Sequence, residues 1–369
     1  MSSPADGSSA PVRSGRTSGR RKPAVAVTGA ASGVGAALAA RLVANPDVGR
    51  VLGLDERRGQ VEGVTWRVLD VRDPALAARL EKVDTVVHLA TDASLDRDRS
   101  NQGELNVRGT QTVLTAAAAT GVRRVVLTTS AMVYGALADN DVPLAEDAPL
   151  RAVPDGGLLS DWLEIERLAA LAPRTHRGLE VTVVRPATLV GPGVDSLLTR
   201  HFEAPRLLVV RDSAPKWQFC HVDDLAAALE LAATGAAAGV LTVGCDGWLS
   251  QEEVEVLSGM RRIELPAALA FGTAERLHRL GVLPAPASDL QYVVHPWVVP
   301  STRLRAAGWR PTYDNPTSLG LLLEQARGHH AVAARRVGRR DATIGAAGAA
   351  VAVVGTAALV RAARRKRKG

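Results

Sequence analysis

From Ala24 onward, short β-branched runs alternate with Ala/Leu-rich stretches of helical period. The runs Val25–Thr28, Val51–Leu54, Val64–Leu69, Thr85–Leu89 and Val125–Thr129 are mostly apolar, as strands covered on both faces are. Between them Gly33–Ala44, Pro74–Leu80 and Glu104–Thr120 space their apolar residues for one face of a helix. A strand at Val181–Val184, a helix at Val222–Thr234, a strand at Val240–Val243 and a helix opening at Ser250 continue the alternation. The pattern predicts an α/β fold: a Rossmann-type doubly wound parallel sheet with a small C-terminal substrate or cap region. Residues 23–330 form this unit, with cap parts at roughly 186–215 and 245–330. The many prolines of 260–330 predict irregular structure there, and no internal repeat is visible.

The tails differ from the body. Residues 1–22 are rich in Ser, Gly, Pro and Arg, which predicts disorder. Residues 331–369 are basic, and within them 342–360 is a 19-residue stretch without a charge, followed by Arg361, Arg364, Arg365, Lys366, Arg367 and Lys368. Read as a helix, it would span ~28 Å, near the thickness of a bilayer core. Its Ala/Gly content leaves two readings open, a membrane anchor or a weakly ordered basic tail. The chain's formal charge is +7, yet the tails carry +4 and +9, so the body is net negative at −6. That balance argues against a nucleic-acid partner, which would require a positive patch on the fold itself. Two cysteines without metal-ligand spacing predict neither a disulfide framework nor a structural metal. The absence of an apolar signal-peptide core predicts a cytoplasmic body, with membrane contact only through the C-terminal tail.

The chemistry starts where the first strand ends. Thr28-Gly29-Ala30-Ala31-Ser32-Gly33-Val34-Gly35 joins that strand to a helical pattern. Gly29 permits a tight turn, Gly33 lets backbone approach a pyrophosphate, and Gly35 allows helix and strand to pack closely; the free amides of Gly33, Val34 and Gly35 then attract phosphate, with Ser32 beside them. Asp55 closes the next strand. A carboxylate there accepts from the ribose hydroxyls of NAD and repels the 2′-phosphate of NADP. Arg57 and Arg58 either lean toward a phosphate or are solvated loop charge.

With these residues in place, the chain resembles the extended short-chain dehydrogenase/reductases, the NAD-dependent epimerase/dehydratase family, over about residues 24–325. Asp70-Val71 resembles the pair that brackets the adenine, and Val87-His88-Leu89-Ala90 the segment whose backbone passes the cofactor. Asn106-Val107-Arg108-Gly109-Thr110 is similar to a family helix motif. Thr128–Gly135 is similar to the strand end that carries a catalytic serine, here Ser130. Arg185-Pro186 and Val190–Gly193 resemble the turn below the nicotinamide, and His221–Ala226 and Gly308–Pro311 are further landmarks. The resemblance implies NAD as cofactor, a small-molecule substrate and a homodimer built on two helices of the nucleotide domain. The glycines fall at 29, 33 and 35, as in single-domain members, with Ser32 at the usual middle-glycine position.

The resemblance also implies a tyrosine and a lysine four residues apart on one helix, where the ammonium lowers the phenol's pKa and the phenol moves a proton. Alignment on Leu163–Leu168 places Leu158 and Trp162 at these positions. The three tyrosines, Tyr134, Tyr292 and Tyr313, are followed four residues on by Ala138, Pro296 and Thr317, so no Tyr-x-x-x-Lys exists anywhere in the chain. Ser160, Asp161 and Glu164 on the same helix are candidate substitutes, or a helix cap and two solvated charges. Ser130 is either a catalytic hydroxyl or a strand-end bond to backbone. His88 reads better as a core histidine than as a catalyst, and His221 as a turn residue. Trp217 stands where sugar-nucleotide members carry a phosphate-binding arginine, beside Lys216; Trp217 and Trp162 read as core packing before ligand stacking. Two functions are consistent with this pattern. One is hydride transfer on a sugar nucleotide or other small hydroxyl or carbonyl compound; the other is a non-catalytic NAD sensor or scaffold tethered at a membrane.

Overall fold

The computed structural model describes residues 21–94, 99–280, 283 and 285–327, and two short paired strands at Ala331–Val332 and Arg335–Arg336. Most of the N-terminal tail and the whole 342–360 segment lie outside the described residues. Among the described residues, no helix is long and apolar enough to cross a membrane. Arg21, which composition assigns to the tail, donates to Asp84 at 2.9 Å.

Seven parallel strands form the central sheet: β1 (Ala24–Thr28), β2 (Arg50–Asp55), β3 (Val64–Val68), β4 (Thr85–His88), β5 (Arg124–Thr128), β6 (Glu180–Pro186) and β7 (Val240–Val243). Their spatial order is β7-β6-β5-β4-β1-β2-β3. The chain first winds one way from β1 and then returns past it to β4. The carboxyl ends of these two neighbours therefore flank a crevice at the switch point, where such sheets bind ligands.

Alternation along the strands feeds two cores. Val25 and Val27 face the side that holds Leu38 and Leu42 of α1 (Gly33–Ala44), whereas Ala26 faces Leu76, Leu80, Val113 and Leu114 on the other. Val113 and Leu114 belong to α2 (Gly109–Ala119), which is preceded by a wider π turn at Glu104–Arg108. On that second face lies α3 (Leu158–Thr175), burying Ile165, Ala169 and Ala172. Burial of each of these leucine, valine and isoleucine side chains stabilises by about 1.5–3 kcal/mol, and a sheet covered on both faces needs two such layers.

The cap contains α4 (Leu197–Glu203), and α5 (Val222–Thr234) packs beside α1, where Arg41 and Asn45 both donate to Glu230 at 2.8 Å. The proline-rich stretch is more helical than its composition predicts. It forms α6 (Ala267–Arg279), a 3₁₀ segment at Ala287–Val293 and α7 (Asn315–Ala326). Proline breaks a helix only in its interior; in α7 Pro316 sits in the first turn behind the Asp314 cap, where its missing N–H costs nothing. Asp224 of α5 accepts from the amides of Thr312 and Tyr313 at 2.8 and 3.2 Å, and its carbonyl accepts from Trp309 Nε1 at 3.2 Å. Two landmarks distant in sequence thus meet and fasten the cap to the sheet domain.

One buried ion pair ties α3 to the sheet. Arg185 of β6 donates twice to Glu166, both at 2.7 Å, and once to Tyr134 Oη at 2.8 Å. Thr129 Oγ1 donates to the same Glu166 at 2.7 Å, and both charged side chains are 6% exposed. Removing one partner strands a buried charge. Glu166→Ala is therefore expected to lower stability by about 3–5 kcal/mol, while Glu164→Ala, which breaks an exposed pair on the same helix, leaves the urea midpoint nearly unchanged.

Candidate dinucleotide cleft

The glycine turn is shaped by two close approaches. Gly29 has φ +67°, and a Cβ there would lie 2.7 Å from the Leu89 carbonyl. A Cβ on Gly35 would lie 2.0 Å from the Gly29 carbonyl oxygen, so α1 can start this near β1 only without a side chain. Gly33 differs: its φ is +55°, but a Cβ would meet nothing within 4 Å. Ser32 precedes the helix in extended conformation and makes no side-chain cap, and no acid occupies the first turn. The amides of Gly33, Val34 and Gly35 consequently face the crevice with the positive end of the helix dipole behind them.

Asp55 reaches this turn from the end of β2. Its Oδ2 accepts from the Ala31 amide at 3.0 Å and its Oδ1 from the Arg57 amide at 3.3 Å. The carboxylate is half-buried at the turn's outer edge, and Arg57 and Arg58 are exposed beyond it. The loop that follows folds back over the turn: a Cβ on Gly59 would meet Trp66 at 2.2 Å and Ala31 Cα at 3.0 Å. Gly59 and Trp66 are thus part of the turn's support, a role no motif announces.

Across the switch point, Thr28 Oγ1 accepts from the amides of Leu89 and Ala90 at 3.1 and 3.2 Å and bonds His88 Nδ1 at 2.7 Å. His88 is buried, and burial lowers its pKa to about 4, so the ring is neutral; its Nε2 has no partner among the described residues. Asp70 makes a bidentate pair with Arg72, the bond that holds its carboxyl below the usual range. Val71 turns into the core, its methyl 3.1 Å from where a Gly109 Cβ would be. Pro186 is buried at the end of β6, paired with Val243.

The face of α3 that carries the sequence's candidate acids is bound into the structure. Asp161 is 5% exposed and accepts from both terminal nitrogens of Arg99 and, at 2.9 Å, from Asn106 Nδ2. Asn106 also bonds both backbone groups of Asp92, at 2.7 and 3.0 Å, which fixes the loop after Ala90. Ser160 Oγ accepts from the amides of Asp155 and Gly156 at 2.9 and 2.8 Å, and so braces the turn ahead of the helix. Glu164 is paired with Arg167, which lowers its pKa. Leu158 and Trp162 are half-buried, and Trp162 touches both cores. Ser130 accepts from the Met132 amide at 3.2 Å and starts a short 3₁₀ turn, the strand-end bond that was one of its two readings.

The remaining landmarks are structural. Trp217 donates to Gln251 at 2.9 Å and stacks on His201 at 5.5 Å, so it is core packing; Lys216 lies 4.3 Å over the Trp248 ring. His221 caps α5, accepting from the Asp223 amide at 3.3 Å. No motif announces the roles of Arg99 and Tyr292, because their partners Asp161 and Met132 lie far along the chain.

Comparison with known proteins agrees with this geometry. Residues 25–244 match the NAD dependent epimerase/dehydratase family. An uncharacterized protein of Mycobacterium tuberculosis is 31% identical over 306 residues, 78% of this chain and 80% of its own length. A dTDP-glucose 4,6-dehydratase of Streptomyces griseus is 32% identical over 185 residues, covering 46% of this chain and 54% of that protein. Among solved structures, MoeE5 in complex with UDP-glucuronic acid and NAD superposes with TM-score 0.62 at 25% identity, over 82% of this chain and 99% of that one. UDP-glucose 4-epimerase from Thermotoga maritima gives 0.61 at 19% identity, over 83% and 99%.

The two glycines of the turn make a paired prediction. Gly35→Ala is expected to abolish dinucleotide binding or the fold itself, because backbone must move to admit the methyl. Gly33→Ala costs only its positive φ, about 1–2 kcal/mol, and is expected to stay folded. Thermal melting and titration with NAD distinguish the two.

Proposed function

The chain belongs to the NAD dependent epimerase/dehydratase family, and we propose that it holds NAD in the crevice between β1 and β4 without running the family's proton shuttle, as a nicotinamide-dinucleotide sensor or scaffold. The observation that carries this reading is the state of α3. No Tyr-x-x-x-Lys is present in the chain, and the three side chains that could replace it are engaged elsewhere. Asp161 is held by Arg99 and Ser160 by the turn before the helix, while Glu164 forms an exposed pair with Arg167. An acid or base that must exchange a proton with substrate has to be within hydrogen-bond reach and free to change its charge. Asp161 is buried, with both oxygens taken by Arg99 and one also by Asn106.

The cofactor half is argued from the turn. The amides of Gly33, Val34 and Gly35 would hold the phosphates, and Asp55 would accept from the adenosine ribose hydroxyls, disfavouring a 2′-phosphate. When bound, NAD supplies a hydride acceptor. This chain's own residues orient it: Asn106 fixes the Asp92 loop, and Thr28 fixes the amides of Leu89 and Ala90. Ser130 supports a second reading, hydride transfer on a glycosyl or other small hydroxyl compound. Its oxygen accepts from the Met132 amide, and among the described residues its hydroxyl donates to no acceptor, which leaves that proton for a ligand.

Calorimetry with both nicotinamide dinucleotides tests the cofactor half. NAD is expected to bind and NADP to bind less tightly. Asp55→Ala is expected to weaken NAD about 10- to 100-fold, the loss of a charge-assisted hydrogen bond of about 1.5–3 kcal/mol, and to narrow the difference from NADP. With candidate nucleotide sugars, UDP-glucuronic acid among them, no reduced-nicotinamide absorbance is expected. An absorbance that Ser130→Ala removes would establish the second reading instead.

A further inference from the structure

The 3₁₀ segment Ala287–Val293 lies across the serine loop and the start of α3, and its contacts fasten it to both. Tyr292 Oη donates to the Met132 carbonyl at 2.7 Å, two residues beyond Ser130. Ser288 Oγ donates to Asp155 Oδ2 at 3.1 Å, and Pro286 stands 3.1 Å from where a Gly157 Cβ would be, next to Leu158. The segment thus bridges the two positions at which a substrate would meet the nicotinamide.

A further contact sets one carboxyl against another. Asp289 follows Ser288, whose Oγ donates to Asp155, so chain continuity brings the Asp289 carboxyl to the corner that Asp155 occupies, and Asp155 adds to the rise of its pKa. Asp155 already accepts from the Gly157 amide at 2.8 Å, from Ser160 Oγ at 3.3 Å and from Ser288, so its negative charge is well supported. Asp289 has no such support, and its buried Oδ1 has no partner among the described residues. Two adjacent carboxylates repel; one proton between them turns repulsion into a hydrogen bond.

We propose that a proton shared by Asp155 and Asp289 latches segment 287–293 over the serine loop, and that losing it opens the substrate side of the cleft. That the latch guards a nicotinamide site rests on the proposed function; the latch itself does not. Burial, and then the neighbouring Asp155, push the Asp289 carboxyl up to about 8. A raised value in the closed state means that closure is favoured most at pH below the open-state value near 4, and that this contribution is lost as pH rises through about 8.

The other charged groups nearby do not take over this role. Arg99 donates to the Gly156 and Gly157 carbonyls but spends its charge on Asp161. Tyr292 is kept neutral, its pKa raised first by burial and then by the two acids. On α6, which packs against the segment, His278 bonds the Leu283 carbonyl at 3.1 Å, Glu275 pairs with Arg279 and Arg276 is exposed. On α4, Arg200 pairs with Asp195, Glu203 is buried, and burial holds His201 neutral, its pKa lowered to about 4. Burial also lowers the pKa of His295, just past the segment.

Amide hydrogen exchange on the full chain without NAD, read by mass spectrometry from pH 6 to 9.5 and corrected for the intrinsic rate, tests the latch. Protection of peptides covering 287–293 is expected to fall about tenfold between pH 7 and 9. Asp289→Asn, whose amide donates to Asp155 and cannot ionise, is expected to stay flat over that range, and so is Asp155→Asn. A flat wild-type profile, or an Asp289→Asn profile parallel to the wild type, overturns the latch. Failure of NAD to bind leaves these exchange rates unchanged and overturns only the proposed function.

Discussion

The approach of Gly35 to the Gly29 carbonyl is the constraint on which the cleft depends. It lets α1 begin directly above the end of β1, so that the helix's unbonded amides point into the crevice between β1 and β4. A side chain at Gly35 would push helix and strand apart and turn those amides away, and one at Gly29 would strike the backbone of Leu89 and Ala90 beyond β4. Asp55 and the loop through Gly59 then close around the same turn, so one steric requirement organises the helix start, the carboxylate at its edge and the loop beyond.

The other wall of the cleft is organised by charge. Arg99 reaches from the loop side to Asp161 on α3, and Arg185 reaches from β6 to Glu166 on the same helix. The Arg185–Glu166 pair is withdrawn from water, where a lost partner costs more than an intact pair contributes, whereas in the other pair Asp161 is buried and Arg99 partly exposed. Such pairs fix position rather than add stability, and they fix α3 against the sheet from two directions. A helix held in this way presents a rigid face to the cleft. At Leu158 and Trp162 that helix carries half-buried apolar side chains.

The cap completes the cleft by contacts with backbone as much as with side chains. Asp224 binds the amides of Thr312 and Tyr313, and Tyr292 binds the Met132 carbonyl. Contacts of this kind depend little on which side chain stands at the accepting or donating residue, so the cap can vary in sequence and still be seated at the same place.

The sequence alone determined the alternation of strand and helix, the glycine turn, the carboxylate at position 55 and the absence of a Tyr-x-x-x-Lys pair, because each is written in adjacent residues or settled by counting. Helix bounds such as Gly33–Ala44 and Val222–Thr234 were legible for the same reason: periodicity and caps are local. The cap was not, since its prolines sit at helix starts and only the fold shows which residues those are. Tertiary structure alone decided what Ser160, Asp161 and Glu164 do. Asp161 is a buried anchor only because Arg99, 62 residues away, arrives beside it, and Asp289 faces another acid only because the cap folds back 133 residues to meet the loop before α3. A charge takes its meaning from its neighbours, and those neighbours are chosen by topology.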